Sequence, residues 1–588
     1  WLKSSCQSSR CFFFSGMLKD VQLFIQLLFF VAFAITNAFT LPDTCTVAKA
    51  SYKSSGCCGK EKKTETFHVS YPEDDFNSDS VADLKSELKE IYSLKKPKNV
   101  ILVVADGMGL ELSYASRLRQ GELHGPNGKS IESYETTLDN MPHVMITRTH
   151  TVDHQTPDSA GTGTALHAGV KTISGVINTK PTLKRGACPA LDGSDNITPL
   201  VDKLIGKKTV GIVSTARLTH ATPASAYAVT SNRDYENDKD TSEICNGKLK
   251  SIATQLTDAL NERKIILALG GGYKEIDASD YSKFTYLSNR SQMMEYDFSQ
   301  KTDRPVIGIF AHKKDRKDAS GHMAYENDRS DSEPSLKEMM EAAMTFMSAN
   351  DDDHGYFLTV EAGRVDHGLH GGNLHKALDD IIIFENAVQA ALDKANGDTL
   401  VIVTADHSHT LAFNGYCGAG SSVLGYCQSG SAPNAWNYMP KLGHVVLDHY
   451  RIPMTVAAFV NGPGARAFAD MRQGMPTLRA APPGAYDAYG YPNAIGASTT
   501  LHNMSCVVNV SAIIGNQIPI DQLGSCLTED QAKGAHTQQP ALFPTTMESH
   551  GGIDIITRCA GPMSHLCSGT KDMTFIGVLI HYTLGLDA

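Results

Sequence analysis

NVILVVADG, residues 99 to 107, is an unbroken run of mostly β-branched apolar residues that stops abruptly on an aspartate and a glycine. A strand with one wet face alternates apolar and polar residues, so an uninterrupted run predicts a strand buried on both faces. Four more stretches have the same form: TVGIVSTA (209–216), KIILALGGG (264–272), YFLTVEAG (356–363) and TLVIVTADH (399–407). Helical patterns lie between them, among them DSEPSLKEMMEAAMTFMSA (331–349), with Pro334 in its opening turn, and NLHKALDDIIIFENAVQAALDKA (373–395). Strands alternating with helices predict an α/β fold, a mainly parallel sheet sandwiched by helices.

Three of these runs close on acids: Asp106, Glu361 and Asp406. Sites in open α/β sheets form beyond the carboxyl ends of the strands, so the three side chains are expected to converge although 300 positions separate the first from the last. That convergence argues for one catalytic domain, residues 91–588, where a length prior of roughly 150 residues per domain would allow about four. Residues 412–548 break the pattern with irregular stretches such as GAGSSVLGYCQSGSAPN and AAPPGAYDAYGYPNA, and are expected to be an insertion on that domain.

Composition narrows the function. The chain is 588 residues long, 41% hydrophobic, with 49 Gly, 24 Pro and a net charge of −11, as in an ordinary globular protein. The one dense charge run, HKKDRKD at 312–318, mixes signs and reads as a solvated loop, so nucleic acid is excluded as a partner. Residues 1–16 precede the first methionine, Met17, and read as translated upstream sequence or an incomplete start. From there Lys19 leads into LFIQLLFFVAFAI and then small residues ending near Ala38, which predicts a secretory signal over 17–38, an uncleaved membrane anchor being the alternative. Residues 39–90 are left as an N-terminal extension.

Cysteine usage agrees with export. Of 13 cysteines two precede Met17, and the remaining eleven lack zinc-finger spacing, so disulfides are expected, with at least one thiol left over. Sequons at Asn196, Asn289, Asn503 and Asn509 mark glycan acceptors in a secreted chain.

The chemistry concentrates in VEAGRVDHGLH, residues 360–370. Asp366 and His370 stand at i and i+4, so on a helix they point the same way, and both are favoured zinc ligands. Asp406 and His407 offer a second carboxylate and imidazole pair. With Glu361 they would bury more negative charge than the fold tolerates unless a divalent cation offsets it. Ser159, in TPDSAGTGTALHAGVK (156–171), follows a Pro-Asp turn signal and precedes small residues suited to a tightly packed helix. It reads either as a nucleophile at a helix N-terminus or as an N-cap serine. Neither a G-x-S-x-G elbow nor a G-x-x-x-x-G-K-[ST] loop surrounds it.

VVADGMG, TPDSAGTGTA, STARLTHATPASAYA with NRDYEND, VEAGRVDHGLH, VTADHSHT, ESHGGIDI and GPMSHLCSGTKDMTFIG follow one another as they do in the alkaline phosphatases. The chain resembles that family over roughly residues 95–411 and 545–582. The resemblance implies phosphate monoester substrates, a phosphoserine intermediate with metal-activated water, a homodimer, two zinc ions and one magnesium ion. Asp366, His370 and His550 match the ligands of the first zinc; Asp106, Asp406 and His407, with the Ser159 oxygen, match the second. Asp106, Thr222 and Glu361 match the magnesium set, and Arg233 matches the arginine that grips phosphate. His220 and His367 match positions that are histidine in many animal-type members and are expected in the layer behind the ligands, direct ligation of a third zinc being the alternative. Cys188–Cys245 is the disulfide the resemblance favours.

Departures limit the match. Vertebrate members carry a calcium-binding Glu after G-[IL]-F, where this chain has Ala311, so that site is expected to be absent or altered. The chain ends HYTLGLDA, without the spacer and hydrophobic run of a GPI signal, which predicts a soluble secreted enzyme, with cell-surface attachment the alternative. A sulfatase would need a C/S-x-P-x-R motif that Asp158-Ser159-Ala160 does not supply, a phosphodiesterase usually lacks the Arg233 equivalent, and an inactive metal- or phosphate-binding matrix protein would not need every ligand intact.

Overall fold

The computed structural model describes residues 95–125, 130–190, 192–276, 282–310, 320–428, 444–446, 453–464, 517–519 and 529–586. All of them belong to one compact unit, Phe76–Ala588. The upstream segment, the signal, the N-terminal extension, Ala311, Asn503 and Asn509 lie outside the described residues.

Ten strands form the central sheet: β1 (Asn99–Ala105), β2 (His143–Arg148), β3 (Thr209–Arg217), β4 (Leu267–Gly271), β5 (Thr285–Leu287), β6 (Val306–Ile309), β7 (Tyr356–Ala362), β8 (Thr399–Thr404), β9 (Ile555–Ala560) and β10 (Gly569–Asp572). Their order is β10-β2-β9-β8-β1-β7-β3-β4-β6-β5. Only β9 runs against its neighbours β8 and β2; the other pairings are parallel. All five apolar runs are strands of this sheet, and β1, β7 and β8 are buried along their whole length, which is why they show no alternation. Fully burying each Ile or Leu in them contributes about 1.5–3 kcal/mol.

Helices α1 (Leu110–His124), α2 (Ser159–Ala168), α3 (Leu336–Ala349), α4 (Arg364–His370), α5 (Leu374–Lys394) and α6 (Thr574–Thr583) flank the sheet. Ser335 and Glu338 close a capping box at the start of α3, worth about 1 kcal/mol. Pro334 therefore stands just before the cap rather than inside the first turn. Helix α6 packs on α2 with backbones in near contact: a Cβ on Gly577 would lie 2.5 Å from Gly169 N and 2.6 Å from Ala165 O. That close approach seats the helix that begins with Ser159.

Within residues 412–548 the described strands Ala457–Gly462 and Ala541–Pro544 join Leu411–Phe413 in a separate small sheet. The chain then returns to the core at Glu548. Disulfides join Cys188 to Cys245, Cys417 to Cys427 and Cys559 to Cys567.

Candidate active site

Strands β8, β1 and β7 are neighbours, with Val104 paired to both Thr404 and Glu361. Their carboxyl ends therefore deliver Asp406, Asp106 and Glu361 side by side. The turn after Asp106 requires Gly107: its φ is +78°, and a Cβ there would lie 2.6 Å from the His409 ring. Asp406 Oδ1 accepts from the backbone N–H of Gly107 (3.0 Å) and of His407 (2.9 Å), which fixes its orientation. Helix α4 follows β7 and sets Asp366 and His370 one turn apart, with Oδ1 and Nε2 at 3.3 Å. His550 arrives on a two-residue strand paired antiparallel with Ser408–His409.

The hydrogen bonds of these histidines decide what the cluster can hold. His370 donates from Nδ1 to the Glu548 carbonyl, and His550 donates from Nδ1 to the Pro157 carbonyl at 2.8 Å. In a neutral imidazole each Nε2 is then left with a bare lone pair. These two lone pairs face each other at 3.1 Å, with Asp366 Oδ1 3.3 Å from one and 3.4 Å from the other. Acceptors facing acceptors without a proton between them repel, and a cation in their midst removes the conflict. His407 repeats the pattern: Nδ1 points to the Ser408 carbonyl, while Nε2 faces Asp406 Oδ2 (3.2 Å), Asp106 Oδ1 (3.5 Å) and Ser159 Oγ (3.3 Å).

A third set, Asp106, Glu361 and His220, also brings its ligand atoms within 4.8 Å of one another. Both Asp106 oxygens, Glu361 Oε1, Thr222 Oγ1 and His220 Nδ1 are buried without a hydrogen-bond partner among the described residues. Buried polar atoms are rarely left so. Burial, reinforced by neighbouring carboxylates, drives the Asp106 carboxyl well above the usual carboxylate range and also raises that of Asp406. Burial pushes Glu361 up to about 8, although the Ser214 hydroxyl bond opposes it. The donor set therefore fits divalent cations: mixed N/O ligands for zinc, and an oxygen-rich set for magnesium. His220 stands with that third set.

Ser159 is the first residue of α2, and its cap is Asp158, whose Oδ1 accepts from Gly161 N at 3.1 Å. The N-cap reading of Ser159 is thus corrected: Asp158 fills that position and leaves the serine hydroxyl available to the site. Asp158 Oδ2 also accepts from Arg233 Nη1 at 3.0 Å, and Arg233 Nη2 reaches His220 Nε2 at 3.1 Å. One residue thus caps the serine helix and aims the arginine. His367 accepts from Arg364 Nη1 at 3.2 Å and lies outside the three ligand groups. Burial, then nearby arginines, holds His220, His322 and His367 well below the usual imidazole range, so all three are neutral.

Sequence reasoning missed Asp158 as a partner of Arg233, and it missed His322, His409 and Glu548. His322 is fully buried, bonds Arg217, and packs its ring 4.3 Å from His367 and 5.4 Å from His220. His409 donates from Nε2 to Asp366 Oδ1 (2.8 Å) and from Nδ1 to Glu548. Burial disfavours its charge, but the two carboxylates outweigh that and hold its pKa up at about 10. His409 lies two residues beyond His407, but its partners Asp366 and Glu548 are 43 and 139 positions away in the chain.

A parallel α/β sheet that gathers carboxylates and imidazoles beyond its strand ends, around a serine at a helix N-terminus, defines a metal-dependent hydrolase. The alkaline phosphatase family pattern matches residues 97–283 and 275–586. The chain belongs to the alkaline phosphatase family, and it is a phosphoric monoester hydrolase. It is 29% identical over 535 residues to the tissue-nonspecific alkaline phosphatase of Rattus norvegicus, covering 85% of this chain and 86% of that one. It is 31% identical over 407 residues to the membrane-bound alkaline phosphatase of Bombyx mori, covering 63% of this chain and 68% of that one. Its fold matches the crystal structure of a cold-active alkaline phosphatase from Shewanella sp. with a TM-score of 0.52 at 19% identity, covering 83% of this chain and 99% of that one.

Proposed function

We propose that this phosphatase holds two zinc ions and one magnesium ion, carries its phosphoryl intermediate on Ser159, and works outside the cell as a homodimer. Asp366, His370 and His550 would hold the first zinc; Asp106, Asp406, His407 and Ser159 Oγ the second; Asp106, Thr222 and Glu361 the magnesium. The observation that carries this reading is the pair of His370 and His550 Nε2 atoms, 3.1 Å apart beside Asp366, with each ring's Nδ1 already bonded to a backbone carbonyl. The partnerless oxygens of Asp106, Glu361 and Thr222 support the third position.

When bound, the cations supply the positive charge that lowers the pKa of the serine hydroxyl and of water and neutralises phosphate oxygens. Arg233 offers a planar pair of N–H donors to two phosphate oxygens, held for that task by Asp158 and His220. Ser159 Oγ attacks phosphorus, the bond from phosphorus to the ester oxygen breaks, and the alcohol leaves with a proton. Water then attacks the phosphoserine and releases inorganic phosphate, restoring the hydroxyl. The neutral His220 and His367 line the site without adding fixed charge.

A transition metal in the third position is the second reading, favoured by the bare His220 Nδ1 beside Asp106 and Glu361. The three disulfides among the described residues and the apolar segment over 17–38 support an oxidising, extracellular or cell-surface location. The Bombyx mori relative, named membrane-bound, points the same way. Residues 91–588 are proposed as the catalytic domain and 412–548 as its insertion. The test is release of p-nitrophenol from its phosphate monoester, assayed before chelation, after it, and after zinc and magnesium are restored. Activity that is lost and then restored is expected; turnover indifferent to chelation would overturn the metal reading.

A further inference from the structure

Glu548 is only 1% exposed, and it makes contacts in three directions at the point where the chain returns from residues 412–548. Its backbone N–H donates to the His370 carbonyl at 2.9 Å, and its own carbonyl accepts from His370 Nδ1. Its side chain accepts from His409 Nδ1 on one oxygen, and from Thr410 N (2.6 Å) and Thr410 Oγ1 on the other. His409 in turn donates to Asp366 Oδ1 at 2.8 Å. One residue thus sets the tautomer of one ligand through its backbone and the orientation of another through an imidazole. Two positions later the same segment supplies His550.

We propose that Glu548 is a positioning residue for the Asp366, His370 and His550 triad, acting through His409 so that retention of the first zinc depends on the segment returning from residues 412–548. The proposal rests on the assignment of that triad to zinc made above. Outer partners of this kind typically change metal affinity by about 10- to 100-fold. Glu548→Gln leaves the backbone contacts to His370 intact and keeps the side-chain volume. It puts an amide where two oxygens served His409 and Thr410, so either Thr410 N–H or the imidazole loses its acceptor.

The test measures zinc transfer from the full-length, zinc- and magnesium-loaded protein to a chromogenic chelator. It compares wild type, Glu548→Gln, His409→Asn and the double variant, with the melting temperature of each metal-stripped protein recorded alongside. In Glu548→Gln one zinc is expected to leave about 10- to 100-fold faster while the other keeps its wild-type rate. The double variant should lose no more than the worse single one, because both changes cut the same connection. Equal release rates in Glu548→Gln and wild type, acceleration of both ions together, or additive effects in the double variant would overturn the proposal. A Glu548→Gln protein that melts far lower when stripped would also count against it, since a general loss of fold would then explain the release. Wild-type protein that binds no zinc would instead defeat the site assignment itself.

Discussion

Asp106→Asn keeps the shape of a fully buried side chain and removes one charge, so it is expected to strengthen the metal-free protein while weakening its response to metals. Both Asp106 oxygens lack hydrogen-bond partners, and ligand atoms of Asp366 and Glu361 each lie within 4.8 Å. At that distance and an effective dielectric constant of about 20, each like-charged pair costs about 3.5 kcal/mol. Without metal the wild type escapes this by keeping the proton: burial first, then Asp406, Asp366 and Glu361, hold the carboxyl well above its ordinary value of 3.8. Keeping a proton costs about 1.4 kcal/mol per pH unit above that value, or about 6 kcal/mol at pH 8. That is the ceiling on what asparagine recovers, and it vanishes near pH 4. Calorimetry of chelator-stripped protein is expected to show the variant melting above wild type at pH 8 and level with it at pH 4. Adding zinc and magnesium at about a thousand times Kd stabilises wild type by about 4 kcal/mol per ion and the variant by much less. A variant that melts below stripped wild type at pH 8, or that gains as much from metals, refutes the reasoning.

Ser159→Ala is expected to lower kcat on p-nitrophenyl phosphate by roughly a thousandfold or more with zinc content unchanged, as metal analysis beside the assay will check. Arg233→Ala removes charge-assisted bonds worth about 1.5–3 kcal/mol, so inhibition by inorganic phosphate should weaken by about 10- to 100-fold in competition assays. The metal-free protein should lose stability as pH rises above 6.5. Glu361, raised from 4.5 to about 8, contributes stability that is lost through that interval, and His409, raised to about 10, contributes stability lost as pH climbs from 6.5. The lowered histidines, such as His370 at about 4, act only below 6.5, while Lys171, Lys203 and Lys208, lowered from 10.5 by burial, oppose the trend towards alkaline pH. Thermal melts of stripped protein from pH 6.5 to 9 check this; a flat or rising profile contradicts it.

The fold was legible because its central strands are buried on both faces, which leaves uninterrupted apolar runs. Strands β2 and β9, nearer the edge, carry no such run: HVMITR exposes Val144, Ile146 and Arg148 in alternation and so lacks the signature of a strand buried on both faces. The candidate ligands were legible where local geometry gathers them, as in the one-turn spacing of Asp366 and His370, or where strand ends converge. Glu548, His409 and Asp158 act through contacts across remote segments, such as the 139 positions from His409 to Glu548. No local period records such a contact. The Ser159 ambiguity could not be resolved from spacing, because Asp158 and Ser159 are both good caps and only the backbone dihedrals distinguish them.

The central claim is that dications, not an amino-acid base, ready Ser159 for attack. Anomalous diffraction at the zinc edge, from crystals of protein loaded with zinc and magnesium, tests it most directly. The account predicts one zinc peak bounded by Asp366, His370 and His550 and another touching Asp106, Asp406, His407 and Ser159 Oγ. An active enzyme whose crystals show no zinc against Ser159 would contradict it.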